Sequence, residues 1–539
     1  MTRARLAPAF AFALAFASPF ALAPASARAA RPSAEHAYRL INEWRIEEAE
    51  PEIAALVKSH PHEPDVAFLD GNLKFLHGEY AAAAERLREA AAAPRDPSSE
   101  LGEEVRELRD LARATADATQ KFVDAGPLPG GHFVIRHAKG KDELLVPYAL
   151  EALEHAYSAL GEDFGDRPSA AHPIRVEIYP EVADLAKVST LTLKEIETSG
   201  TIALCKYNRI MIVSPRALLA GYPWLDTLTH EYTHFIVSRV SHNTVPIWFH
   251  EGLAKFEERR WHAASGGGLT PTMEHLLATG LQRKHLITFE QMHPSMAKLP
   301  SQEDTALAFA EVYMAVEYLH AQVGWDGVRK VIAQLRDGNA DAQAVAQVVG
   351  RPFDQFQREW RAWLHGRKLR ARPGLVPTEL RFKKAPGKAT EQSEDDAAVI
   401  TEEKARKLAR LGGLLRARKR FKAAAIEYEK AQALVGPGNL QVANKLARTY
   451  LELDDPARAI AAAEPALELY PDQAAPSATL GAAWLKRGDF AKAQPYLETA
   501  IAINPFDPAI HCGLAESFRR TGDKRAAREE AACRALAGE

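Results

Sequence analysis

Cysteine is scarce in this 539-residue chain, which has three: Cys205 in the middle, and Cys512 and Cys533 near the C-terminus. That excludes a disulfide framework and leaves room for at most one internal bond. Cys205 falls in a β-rich run and reads as a small apolar packing residue. Cys512 and Cys533 fall on opposite helices of a final helical hairpin, where a bond and two buried thiols fit the spacing equally. Blocks of Lys and Arg are missing too, and with a formal net charge of -3 a dedicated nucleic-acid surface is set aside. Past the first thirty residues no apolar run reaches membrane-span length, so no stable span is expected in the mature form. Disordered and fibrous classes are excluded by 47% hydrophobic and 26% charged residues, the proportions of ordinary globular chains. The length is too great for one core, and three or four domains are expected.

What is present begins with Arg3 and Arg5, an apolar run from Leu6 to Ala23, and small-residue sites at Ala25-Ser26-Ala27 and Ala27-Arg28-Ala29. This reads as a cleavable secretory signal over 1–29, because the run is too short and too proline-interrupted for a retained anchor. No cysteine near the cleavage region marks a lipid attachment. The expected location is periplasmic or extracellular.

The C-terminal third repeats itself. Leu480, Gly481, Trp484, Gly488, Ala493, Leu497, Ala500 and Pro505 align with Leu446, Ala447, Tyr450, Ala459, Ala466 and Pro471 at a period of 34 residues (446 to 480), with further units around Leu411 to Ala431 and Leu514 to Ala527. Small residues let two helices of a hairpin approach, large ones fill the groove, and proline stops the second helix. The pattern resembles the tetratricopeptide repeat family over 403–539. A fainter version, with Ala49, Ile53, Leu56, Gly71, Tyr80, Ala83, Leu87 and Ala90, and then the amphipathic stretch EEVRELRDLARATADATQKFV, marks 30–125 as helical and repeat-like. Protein partners are the expectation for both blocks.

Between them the texture changes. HFVIRH and IRVEIYP are short β-rich runs around an amphipathic helix, and TIALCKYNRIMIVSP reads as two strands about a turn at Lys206 to Asn208. Residues 371–402, punctuated by proline and rich in charge, read as a linker.

The chemistry lies in HEYTH at 230–234. On a helix, His230 and His234 share one face and can take two corners of a zinc tetrahedron, while Glu231 turns toward a water on the metal. Pro246 then breaks the chain, and a second helix carries Glu251 in its first turn, a candidate third ligand that leaves one position open.

HEYTH followed by PIWFHEGLAKF is similar to the gluzincin metallopeptidases, and among them to the peptidase MA-like family, over about 126–370. The resemblance implies an α+β zincin-like metallopeptidase domain, a small mixed sheet plus active-site helices, flanked by all-α tetratricopeptide repeat regions. It implies Zn²⁺ held by His230, His234 and Glu251, with Glu231 as general base. It also implies a downstream oxyanion donor, for which Tyr313 is the aligned match; a tyrosine packed on the core face of its helix is the alternative. The chain departs from the thermolysin-like pattern at Lys255, where an aspartate often supports one histidine; Asp226 is a candidate substitute. His250, next to Glu251, points about 100° away from it on a helix and reads as a support or surface residue.

Two functions follow. The first is a secreted zinc metalloendopeptidase acting on protein or peptide substrates, with repeats that recruit protein partners. The second is an inactive scaffold of the same fold for envelope protein assembly. Retention of Glu231 favours the first, since a structural zinc site needs no base.

Overall fold

The computed structural model describes residues 33–93, 100–372, 374–383 and 400–538. The signal segment read over 1–29 lies outside the described residues. Five helices, Ala34–Asn42, Ile46–Ser59, Pro64–Leu76, Tyr80–Ala91 and Glu100–Thr119, form an N-terminal layer. Each buries one stripe: Ala49, Ile53 and Leu56 on the second helix, Tyr80, Ala83, Leu87 and Ala90 on the fourth.

A five-stranded sheet follows: β1 (Phe122–Ala125), β2 (Phe133–Ala138), β3 (Ile174–Tyr179), β4 (Ala203–Lys206) and β5 (Arg209–Val213), in the order β1-β2-β3-β5-β4. β2, β3 and β5 are parallel, while β1 and β4 are antiparallel edges. Residues 122–125, expected as the tail of the N-terminal helical stretch, pair with β2 instead. Four residues directly after a long helix are too few to display a period of two. The turn expected between β4 and β5 is there, with Tyr207 and Asn208 both at positive φ (58° and 56°) as a two-residue hairpin demands.

Helix Val146–Phe164 packs on β2 and on helix Trp224–Ser241, which itself runs along β4 and β5. Helix Ile247–Glu257 lies against the long helix Gln302–Arg336, which kinks at Gly324. Eight further helices between Glu403 and Ala537 stack as hairpins. Gly481 sits where a Cβ would strike Leu497, the close approach that the repeat pattern required. A small mixed sheet with helices, followed by all-α repeats, is thus the class expected.

Both helical blocks are bound tightly to the sheet-bearing region. On the N-terminal side, the Glu177–Arg209 ion pair (3.1 Å) is fully buried; Tyr80 donates to Glu177, and Arg209 lies over the Phe75 and Tyr80 rings. Tyr80 and Tyr179 both donate to Glu177, and Arg209 Nη2 donates to the Val188 carbonyl, which offsets part of the cost of taking the pair out of water.

On the C-terminal side, Leu497, Ile501, Ile510, Leu514 and Phe518 belong to the same hydrophobic core as the sheet. The last repeats and the sheet region thus share one core. Tyr148 donates to Glu529 at 2.8 Å, and Glu529 also meets the buried His511. Cys512 and Cys533 are joined in a disulfide across the last hairpin, with Cα atoms 5.0 Å apart. Of the stretch read as a linker, residues 374–383 lie against both neighbours. Leu218 and Phe382 form an antiparallel bridge, and the amide of Val376 donates to the hydroxyl of Tyr470.

Candidate metal centre

Helix Trp224–Ser241 is buried on nearly every side, with Trp224, Leu228, Tyr232, Ile236 and Val237 all inaccessible. Two of its buried threonines tolerate this because Thr229 and Thr233 donate back to the carbonyls of Leu225 and Thr229. The histidines are thus fixed on a rigid element. Pro246 caps helix Ile247–Glu257, and Gly252 lets that helix approach Val312 and Val316 where a Cβ would leave no room. This approach presents Glu251 to the histidines.

Glu251 Oε2 lies 3.4 Å from His230 Nε2 and 3.3 Å from His234 Nε2, and the three donor atoms all fall within 4.8 Å of one another. A tetrahedral zinc site with bonds of about 2.0–2.1 Å spaces its donors about 3.3–3.4 Å apart, so two edges already have the required length. Among the described residues this is the one grouping of His, Cys, Asp or Glu that could hold a metal. Burial alone would raise the Glu251 carboxyl, yet His234 and His230 outweigh it and hold the group well below the usual carboxylate range. The donor set fits a divalent cation that prefers nitrogen and oxygen ligands.

Glu231 is 6% exposed, with one carboxylate oxygen lacking any hydrogen-bond partner. Burial pushes its carboxyl up to about 7; His234 opposes the rise, Glu251 adds to it, and a hydrogen bond with the Cys205 backbone opposes it. A carboxylate poised near neutrality with a free oxygen beside a metal-type cluster is suited to moving a proton.

Tyr313 is elsewhere engaged. Its hydroxyl accepts the amide of Gly268 at 2.9 Å, its ring packs on Phe256, and burial pushes its pKa up to about 12. No hydrogen bond or ring contact joins it to the cluster; from the same long helix it is Phe309 that meets the His230 ring, at 5.8 Å. Asp226 is likewise committed, accepting from the Trp261 indole at 2.8 Å and lying 3.6 Å from Arg259.

The carboxylate near His230 is instead Glu258, 4.0 Å from Nδ1 and anchored by Lys255 at 2.7 Å. Sequence reasoning missed it. The signal was there, because Glu258 follows Glu251 by seven residues, two turns along one helix face. His250 stacks on His234, with ring centroids 4.4 Å apart, and its Nε2 is 3.4 Å from the Ser238 hydroxyl, a supporting position. Cys205 is a free thiol, partly buried in β4, as expected of a packing residue.

Residues 152–366 match the model of the Peptidase MA superfamily, and residues 440–473 and 479–539 match tetratricopeptide repeat models. The chain carries a peptidase MA-like domain and C-terminal tetratricopeptide repeats. The peptidase MA-like match contains all three donor residues and Glu231. No curated protein sequence matches the chain. Among solved structures, MamA MSR-1 C2 is similar at 19% identity over 26% of this chain and 83% of that one, with a TM-score of 0.23. Native yeast LTA4 hydrolase is similar at 12% identity over 77% of this chain and 66% of that one, with a TM-score of 0.28. The Cut9-Hcn1 structure is similar at 12% identity over 93% and 78%, with a TM-score of 0.27. No described helix is long and apolar enough to cross a membrane.

Proposed function

We propose that the chain is a zinc-dependent endopeptidase of the gluzincin type, exported from the cytosol and built with repeat modules that engage proteins. The observation that carries this is the donor spacing of His230, His234 and Glu251 around one point, with the buried Glu231 one residue away. Zn²⁺ held by these three side chains would supply Lewis acidity, lowering the pKa of a water and polarising a carbonyl. Glu231 takes the proton of the attacking water at its free oxygen and returns it to the leaving amine. Glu258, anchored by Lys255, lies 4.0 Å behind the His230 ring, where a small approach would let it accept from Nδ1, and His250 and Ser238 steady His234 from the other side. Tyr313 as oxyanion donor would use its O–H proton, which the bond accepted from the Gly268 amide leaves free, but its hydroxyl has no hydrogen bond to the cluster and would have to reach it when substrate enters. The Cys512–Cys533 bond supports an oxidising compartment.

The test is metal content followed by turnover. Purified protein should carry one equivalent of zinc, lose hydrolysis of an unfolded polypeptide on chelation, and regain it with zinc. Protein that binds zinc no better than a His230→Ala, His234→Ala variant would sink the reading.

A further inference from the structure

The outer edge of β4 borders a cleft that the N-terminal helices close from the other side. Lys206 and Arg209 flank the two-residue turn, and the Val213 amide donates to Ile202 at the far end of the ladder. Hydrogen-bonded and non-hydrogen-bonded pairs alternate along an antiparallel ladder, so Ala203 and Cys205 are the residues whose N–H and C=O face away from β5. They point off the sheet. One of them, at Cys205, meets Glu231, so the candidate base touches the same strand edge.

The cleft has a volume of about 870 Å³ and is lined by Cys205, Lys206 and Tyr207 on the strand side and by Glu107, Leu111 and Ala114 of helix Glu100–Thr119 on the other. Its inner end includes His250, which stacks on His234. The two walls are tied at both ends. Phe75 packs edge-on against Tyr207 at the hairpin tip. Beyond the metal helix, Trp44 packs on Phe235, Arg239 pairs with Glu47, and Asn243 donates to the Asn42 carbonyl. The cleft cannot widen without breaking these contacts.

The geometry points to the N-terminal helical layer as the second wall of a substrate channel, which admits one extended polypeptide segment and excludes folded domains. This deepens the peptidase reading and rests on it. A strand added to an edge lies about 4.8 Å from it and takes up its outward N–H and C=O groups. With the Cys205 N–H taken by Glu231, the outward edge offered to such a strand is that of Ala203 and the Cys205 carbonyl, and the helical wall stands where the next layer of a folded substrate would have to go. The lining mixes Glu107 and Asp110 with Lys187 and Lys206, which suits a chain of varied side chains and not a polyanion. The substrate class is therefore unfolded or extended protein, and the N-terminal helices select it by shape.

The experiment uses the zinc-loaded full chain carrying Glu231→Gln, with binding read by fluorescence anisotropy. The probe is fluorescein-labelled α-lactalbumin, either native or reduced and carboxymethylated. The unfolded probe should bind about tenfold or more tightly than the native one. Ala114→Trp, which fills the cleft from the helical wall, should weaken that binding by about tenfold at unchanged zinc content. Glu107→Trp, at an exposed position of the same wall, does the same should Ala114→Trp fail to fold. Equal binding of both probes, or wild-type affinity in a folded wall variant, overturns the channel. Hydrolysis by the parent protein is scored separately. Selective binding without cleavage removes only the peptidase reading, and cleavage that ignores the wall variants removes only the channel.

Discussion

Trp224, the first residue of the helix that carries His230 and His234, gives its indole N–H to the carbonyl of Ile501, 277 residues downstream, at 3.1 Å. The same turn accepts two backbone amides, Trp224 to Ala502 and Tyr222 to Ile503. Gly221 precedes them because a Cβ there would collide with the Ile503 carbonyl. The start of the candidate metal helix is thus held by the C-terminal repeats.

A chain ending at residue 383 should consequently expose Trp224 and lose both solubility and zinc. Trp224→Phe, which leaves the Ile501 carbonyl unpaired in the core, should cost about 1–3 kcal/mol. Thermal unfolding of the variant and zinc content of the truncated chain are the measurements. A truncated chain that stays monomeric with a full equivalent of zinc would show that the helix needs no such hold.

Glu231→Gln keeps shape and removes the base. Zinc content should stay at one equivalent while turnover of an unfolded polypeptide falls by about 10²–10⁴. Unaltered turnover would move the general base elsewhere, and the absence of any turnover in the parent protein would favour the scaffold reading.

Glu251 and Glu258 should differ in kind. Glu251→Ala removes a direct donor and should abolish stoichiometric zinc. Glu258→Gln leaves all three donors in place and should weaken zinc by about 10- to 100-fold, the usual effect of a partner behind a ligand. Competition with a chromophoric chelator reads both; equal losses would make Glu258 a ligand.

Glu311, on the long helix, accepts the Ile287 amide at 2.8 Å, and burial pushes its carboxyl up to about 8 from 4.5. The folded chain therefore holds this proton more tightly than the unfolded one. The stability this gives is fully present below pH 4.5 and is lost as pH rises through about 8. Glu311→Gln, which can still accept from Ile287, should stabilise the protein by on the order of 1–3 kcal/mol at pH 7.5 and by nothing at pH 4. A stability difference that ignores pH would show the carboxyl to be solvated.

The candidate metal cluster was legible because it depends on local geometry. Two histidines four apart on a helix share a face whatever surrounds them, and Glu251 begins the very next helix. The repeats were legible through their period, and the β4–β5 hairpin through its turn. Glu258 was legible only as a spacing, seven residues after Glu251, which places it on the Glu251 face without showing that it reaches His230. The hydroxyl of Tyr313 was hidden by a partner, Gly268, from a glycine-rich loop without a pattern of its own. The docking of the repeats was least legible. The Trp224–Ile501 and Tyr148–Glu529 contacts join positions hundreds of residues apart, and no local period encodes such a meeting.

The contact between Tyr148 and Glu529 spans 381 residues. A ribosome adding roughly 5–20 residues per second needs about 20–75 s to make that interval. For the last part of that interval, from residue 366 to 529, the whole peptidase MA-like match is already made but lacks the hairpin that seals its flank, its apolar face open to other proteins. Synthesis thus times the first moment at which the candidate metal helix can receive its Ile501 contact.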